Sequence, residues 1–139
     1  MTDPPADAAA VLPIANETDV IRVRQTLRTA AEQAGLGLID TTKLVTAGSE
    51  LARNILVYAT GSRGTVRVSR VRARDRQGVQ AAFSDYGPGI EDMDSAMTDG
   101  YSTSGRLGLG LPGAGRLADE MGVTTGPDGT TIVITKWGR

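Results

Sequence analysis

The spacing of apolar residues changes between the first and the middle part of this chain, and that change limits what the chain can fold into. From Asn16 to Ala59 apolar side chains recur every three or four residues, with one break at Gly35 and Gly37. From Thr65 to Asp85 they alternate. The first spacing puts apolar groups on one stripe of a helix, and the second puts them on one face of a strand. Each element must bury its apolar side against another, so two helices are expected to cover one face of a sheet.

In the first helix Val20, Val23, Leu27, Ala30, Ala31 and Ala34 form the stripe, and Arg22, Arg28 and Glu32 face water. Asn16-Glu-Thr-Asp19 reads as its capping box, with Asp19 near the positive helix end. Gly35 and Gly37 stop it. Asp40 is expected to cap the second helix, which runs to about Ala59 and ends at Gly61. Val11 to Ala15 reads as an edge strand, because Pro13 has no N–H to donate. Residues 1–10, with Pro4, Pro5 and four alanines, read as a disordered leader, leaving 11–139 as one domain.

Thr65 to Arg74 reads as a strand in which Val66 and Val68 share one face but Val71 and Ala73 the other. That shift of phase predicts a bulge near Ser69 or Arg70. Asp75 to Gly78 is expected to turn, and Val79 to Asp85 to return as a strand. Asp85 falls on the face of Val79, Ala81 and Phe83, so its carboxylate is expected to point inward. A third helix is expected from Leu109 to Met121, with Pro112 in its first turn. A hairpin of Val123–Thr125 and Thr130–Trp137, turning at Pro127-Asp-Gly129, ends the chain. This order predicts an α/β fold: a two-layer α/β sandwich, with a mixed, mostly antiparallel sheet and helices on one face.

The chain of 139 residues has no cysteine and no histidine. Disulfides, thiolate metal sites, cysteine nucleophiles, histidine acid–base chemistry and a phosphohistidine are therefore excluded within it. With 15 basic and 16 acidic side chains the net charge is −1, which lacks the electrostatics of nucleic-acid binding. No apolar run approaches the roughly 20 residues that span a bilayer. The acidic start, Met-Thr-Asp-Pro-Pro, has no basic-then-apolar signal pattern, so a cytoplasmic location is expected. Any catalysis must use carboxylates, a metal ion or a cofactor.

Three segments could carry such chemistry. Glu50 and Asn54 lie one helical turn apart, beside the stripe of Ala47, Leu51, Ile55 and Tyr58. They suit a proton acceptor and a ligand of hydrated Mg²⁺, or else form an ordinary polar edge. Asp85-Tyr-Gly87-Pro-Gly89 ends a strand on an inward carboxylate and turns where glycines let a flat ligand approach. It is either a nucleotide site, with the carboxylate taking an adenine amino group, or a plain turn. Gly108-Leu-Gly110-Leu-Pro-Gly113 opens a helix without following a strand, so it is not a dinucleotide fingerprint. Its free amides favour phosphate. Arg106 could reach a terminal phosphate or face solvent. The polar stretch from Glu91 to Gly105 has the length and composition of a functional loop. Arg67, Arg70, Arg72, Arg74 and Arg76 make the most basic segment, either a solvated face or a docking surface for an acidic partner.

Taken in order, Glu50-x-x-x-Asn54, Asp85-x-Gly87-x-Gly89, Gly108-x-Gly110 and Gly129-Thr130 resemble the ATP-binding boxes of the GHKL superfamily of gyrase, histidine-kinase and MutL-type ATPases. Ser49-Glu-Leu-Ala-Arg-Asn-Ile55, Gly108-Leu-Gly-Leu-Pro-Gly113, Arg116-Leu-Ala-Asp-Glu120 and Gly129-Thr-Thr-Ile132 look most like its RsbT-type serine/threonine switch kinases. The resemblance implies Glu50 as general base and Asn54 as the Mg²⁺ ligand. It implies Asp85 as the adenine-binding carboxylate, Gly87 and Gly89 as pocket-shaping glycines, and Thr130 as the threonine beside adenine. It implies Gly108 and Gly110 at the phosphate and lid hinge, with Ile90, Arg106 and Leu109 completing the nucleotide site. ATP and Mg²⁺ are the implied cofactors. The implied activity is phosphorylation of a STAS-domain antagonist in bacterial stress or sigma-factor partner switching, with binding and activation of a PP2C-type phosphatase. An RsbW-type anti-sigma factor kinase, with a sigma factor as the less favoured partner, and an ATP-gated binding module without kinase activity are the alternatives. Nucleic acid and membrane are not expected partners.

Overall fold

A computed structural model of the chain describes residues 9–58, 63–85, 110–127 and 129–138. Its elements are β1 (Ala10–Ile14), α1 (Glu17–Gln33), α2 (Leu38–Tyr58), β2 (Gly64–Ala73), β3 (Arg76–Asp85), α3 (Gly110–Leu117), β4 (Glu120–Gly126) and β5 (Gly129–Trp137). The five strands form one sheet in the order β1-β2-β3-β5-β4, and each neighbouring pair is antiparallel. Helices α1 and α2 pack on it, and α3 packs beside α2. Val20, Val23 and Leu27 of α1 and Leu44, Ala47 and Leu51 of α2 are buried with Val66, Val68, Ala81, Phe83 and Ile134 of the sheet. This is the expected sandwich. Among the described residues no helix is long and apolar enough to cross a membrane.

The caps explain where α1 begins and ends. The Asn16 side chain accepts the Asp19 N–H at 2.9 Å, and the Asp19 carboxylate accepts the Ala15 N–H at 2.9 Å. Two otherwise orphaned donors are thus satisfied reciprocally. At the other end Gly35 takes φ +80°, which lets Leu36 N–H reach Ala31 O and Gly35 N–H reach Glu32 O.

Four expectations need correction. Asp40 does not cap α2, which starts at Leu38; Asp40 lies in its first turn and pairs with Lys136 at 3.6 Å. There is no bulge near Ser69 or Arg70: the β2–β3 ladder runs unbroken from Gly64 opposite Asp85 to Ala73 opposite Arg76. Val71 and Ala73 simply lie on the outer face, away from the helices. The turn falls at Arg74–Asp75, with Arg74 at φ 55°, and β3 already begins at Arg76. Gly78 is therefore a strand residue. It faces Trp137, whose ring carbon would stand 2.8 Å from any Cβ there, and Arg76 stacks on the same ring at 4.8 Å. Finally α3 stops at Leu117, and Glu120 and Met121 belong to β4. The helical spacing of Leu117, Ala118 and Met121 concealed the break, where Asp119 donates its N–H to Thr135 O at 2.9 Å.

Glycine 48 escaped the sequence reading. A glycine inside a helix costs up to about 1 kcal/mol relative to alanine. Here a Cβ would run into Leu27 of α1 and stand 3.5 Å from the Phe83 ring, so the glycine lets both helices close onto the sheet.

Candidate functional site

Strand register assembles one end of the sheet. Asp85, the last residue of β3, stands opposite Gly64 on β2 and opposite Thr130 on β5, and Thr130 in turn faces Thr125 on β4. Alternation puts Asp85 on the face of Phe83 and Ala81, both buried, so its carboxylate side is the helix side, as the sequence predicts. Thr130 is buried, and its hydroxyl shares a 2.9 Å hydrogen bond with Thr125.

The second half of α2 comes to the same end. Leu51 and Ile55 are buried in the core. Ile55 lies over Gly64, where a Cβ would stand 3.0 and 3.1 Å from its methyl carbons and would collide with Ser84 O. The glycine thus admits the helix close to the strand position paired with Asp85. Asn54 precedes Ile55 and is half-buried, and Glu50 is exposed one turn earlier. Neither Glu50 nor Asn54 makes a side-chain hydrogen bond or ion pair with another described residue. Beside them Arg53 pairs with Glu17 of α1 at 3.3 Å, with both side chains largely in solvent.

An open depression of about 480 Å³ adjoins this end. Thr65, Ser84, Thr124 and Thr131 of the outer sheet face line it together with Asp85, Thr125 and Gly129, and Glu50, Asn54 and Thr130 are not among its lining residues. Two other cavities, of about 290 and 320 Å³, border α1 instead. Among the described residues no group of three acidic side chains could hold a metal ion.

Of the predicted site residues, the fold gathers Asp85 and Thr130 as strand partners and brings the α2 segment carrying Glu50 and Asn54 to the same end. Gly110 is the first residue of α3, which packs beside α2. Gly87, Gly89, Ile90, Arg106, Gly108 and Leu109 lie outside the described residues. Gly64 and Thr125 were missed. Thr125 was legible, since a hairpin turning at Pro127-Asp-Gly129 sets it opposite Thr130. Gly64 was not, because only the approach of Ile55 gives that glycine its part.

Comparison with known proteins agrees with this architecture. The profile of the histidine kinase-like ATPase domain matches residues 14–136. Serine/threonine-protein kinase RsbT of Bacillus subtilis (strain 168) is 42% identical over 127 residues, which is 91% of this chain and 94% of that protein. The chain belongs to the histidine kinase-like ATPase family, in its RsbT-type serine/threonine kinase group. A solved structure of the RsbU and RsbW domains of a Mycobacterium tuberculosis protein superposes with a TM-score of 0.63 at 24% identity. It covers 94% of this chain, while this chain spans 33% of that one, and at such identity the likeness concerns the fold. In this family the fold serves to bind ATP, and the RsbT-type members are protein kinases and partner-switching regulators.

Proposed function

We propose that this chain binds Mg-ATP at the Asp85–Thr130 end of the sheet and phosphorylates a serine or threonine of a STAS-domain antagonist, acting in the cytoplasm. In this reading it also binds and activates a PP2C-type phosphatase. One observation carries the proposal. The register of Gly64, Asp85 and Thr130, with Ile55 laid over Gly64, brings an inward carboxylate and the Glu50–Asn54 face to one end of the sheet.

The residues fit the roles asked of them. Asp85 accepts a hydrogen bond from the adenine amino group, with Thr130 beside it. Asn54 offers one hard oxygen, which suits Mg²⁺, a cation that keeps several waters and takes few protein ligands. ATP supplies the γ-phosphoryl group, and Mg²⁺ supplies charge neutralisation at its phosphates. Glu50, exposed and with no side-chain bond to a described residue, orients the incoming hydroxyl and accepts its proton. Phosphoryl transfer asks mainly for positioning and charge stabilisation, so histidine and cysteine are not required. The absence of histidine also removes a phosphohistidine as acceptor within the chain.

Radiolabelled ATP offered with the STAS-domain, sigma-factor and phosphatase products of the same locus tests this. Stoichiometric label on the STAS-domain protein is the expected result. Tight sigma-factor binding would replace the reading with an anti-sigma kinase. Phosphatase activation with no label on any protein would leave an ATP-gated binding module.

A further inference from the structure

A groove lies away from the Asp85 end. It runs between α1 and the first half of α2 with a volume of about 320 Å³, and Arg24, Arg28, Glu32, Leu36, Leu38 and Thr42 are in its walls, so that two cations face one carboxylate. Arg24 and Arg28 are exposed neighbours one helical turn apart. Neither has a hydrogen bond or ion pair from its side chain to another described residue. Like charges at that spacing destabilise a helix by a few tenths of a kcal/mol, so helix stability does not account for them. At the end of the groove Leu38 is 82% exposed, and the next residue in the chain, Ile39, is 70% exposed; these are the two most exposed large aliphatic side chains among the described residues. Cations beside exposed aliphatic groups, with no ion-pair partner among the described residues, are the marks of a contact surface.

We propose that this groove docks an acidic segment of a partner protein, with carboxylates on Arg24 and Arg28 and an aliphatic side chain against Leu36 and Leu38. The volume suits the side chains of one segment. Charge favours an acidic peptide: the groove carries two arginines against one glutamate on a chain of net charge −1, and neither arginine is ion-paired to a described residue, so the local excess of positive charge steers and orients such a partner. Nucleic acid fits less well, because no aromatic ring lines the groove for base stacking. Thr42 and Thr46 lie about two turns and one turn before Glu50 on the same helix. A segment held there sits on the element that carries the proposed base, yet its binding needs no nucleotide.

The test is a titration of the ¹⁵N-labelled full chain, without ATP, with a synthetic peptide rich in Glu and Leu. Amide shifts centred on residues 24–28 and 38–46 are expected. Affinity should weaken with salt. It should fall about tenfold or more in the Arg24→Glu/Arg28→Glu variant, the worth of two exposed charge contacts. An Arg24→Gln/Arg28→Gln variant should fall between the two and guards against misfolding. Shifts elsewhere, or none, would overturn the proposal. So would equal binding of the same peptide with Lys in place of Glu. A single-stranded oligonucleotide shifting the same amides more strongly would make this a nucleic-acid face. Concentration-dependent self-association at those amides would assign it to a second copy of the chain. Because ATP is absent, each result is independent of the phosphoryl-transfer reading.

Discussion

The two ends of the sheet treat charge in opposite ways. At the end away from Asp85, Lys136 of β5 is 3% exposed and closed in by its own chain. Its ammonium pairs with Asp119 at 3.2 Å and with Asp40 at 3.6 Å. Asp119 also accepts the Trp137 N–H at 2.7 Å, and Glu120 accepts the Trp137 indole N–H at 2.7 Å. These bonds tie the start of α2 and the α3–β4 junction to the last strand. At the other end Asp85 borders an open depression and Glu50 stands in solvent. Lys136 and Asp85 both sit on the helix face of the sheet, so strand phase does not separate an enclosed charge from one beside an opening. What surrounds the charge does. At the closed end helix and junction supply the counter-ions and the charge braces the fold; at the other end the Asp85 residue is half-buried and borders a depression.

The contrast can be broken at either end. The largest effect is expected at Glu50. Replacing Glu50 with Ala should slow phosphoryl transfer by about 10²–10⁴, the usual worth of a general base, while ATP affinity stays within a few-fold. Radiolabel transfer and calorimetric titration read the two quantities separately, and a near-normal rate would reduce Glu50 to a surface residue. At the closed end Lys136→Ala leaves two carboxylates without their shared cation and should cost about 3–5 kcal/mol of stability in urea unfolding. A cost below about 1 kcal/mol would mean that the network behaves like a solvent-screened surface pair, and the contrast would collapse.

Asp85→Asn comes next. Losing a charged partner for a ligand donor costs about 2–3 kcal/mol, or roughly a hundredfold in ATP affinity, measured by calorimetry on a folded variant. Unchanged affinity would remove the adenine assignment. The smallest effect is expected for Glu17→Ala. The Glu17–Arg53 pair is exposed, so its loss should change stability by less than about 1 kcal/mol. A larger change would show that ion pairs near the open end also brace the fold.

Much of this was legible because local rules carried it. The Asn16 cap, the stripe of α1, the edge position of β1 and the inward phase of Asp85 follow from side-chain chemistry and two periodicities. The absent bulge in β2 was misread because Val71 and Ala73 were assumed to need the helix face. The outer face, where Gly78 receives Trp137, holds apolar groups too. Asp40 was misread as a cap because its partner, Lys136, lies at the far end of the chain.

The sequence by itself determined the two-layer class of fold, the order of the elements, the absence of histidine and cysteine chemistry, and the order of the segments that resemble nucleotide-binding boxes. These depend on residue type and on spacing within a few turns or strand positions. Only the tertiary structure decided which strands are neighbours, that Gly64 admits Ile55 beside the partner of Asp85, and that Lys136 finds two carboxylates. It also decided that Arg24 and Arg28 share a groove with Leu36 and Leu38. The reason is physical: pairing across the sheet and packing between layers join residues far apart in the chain, and those contacts are settled by register and shape rather than by any local preference.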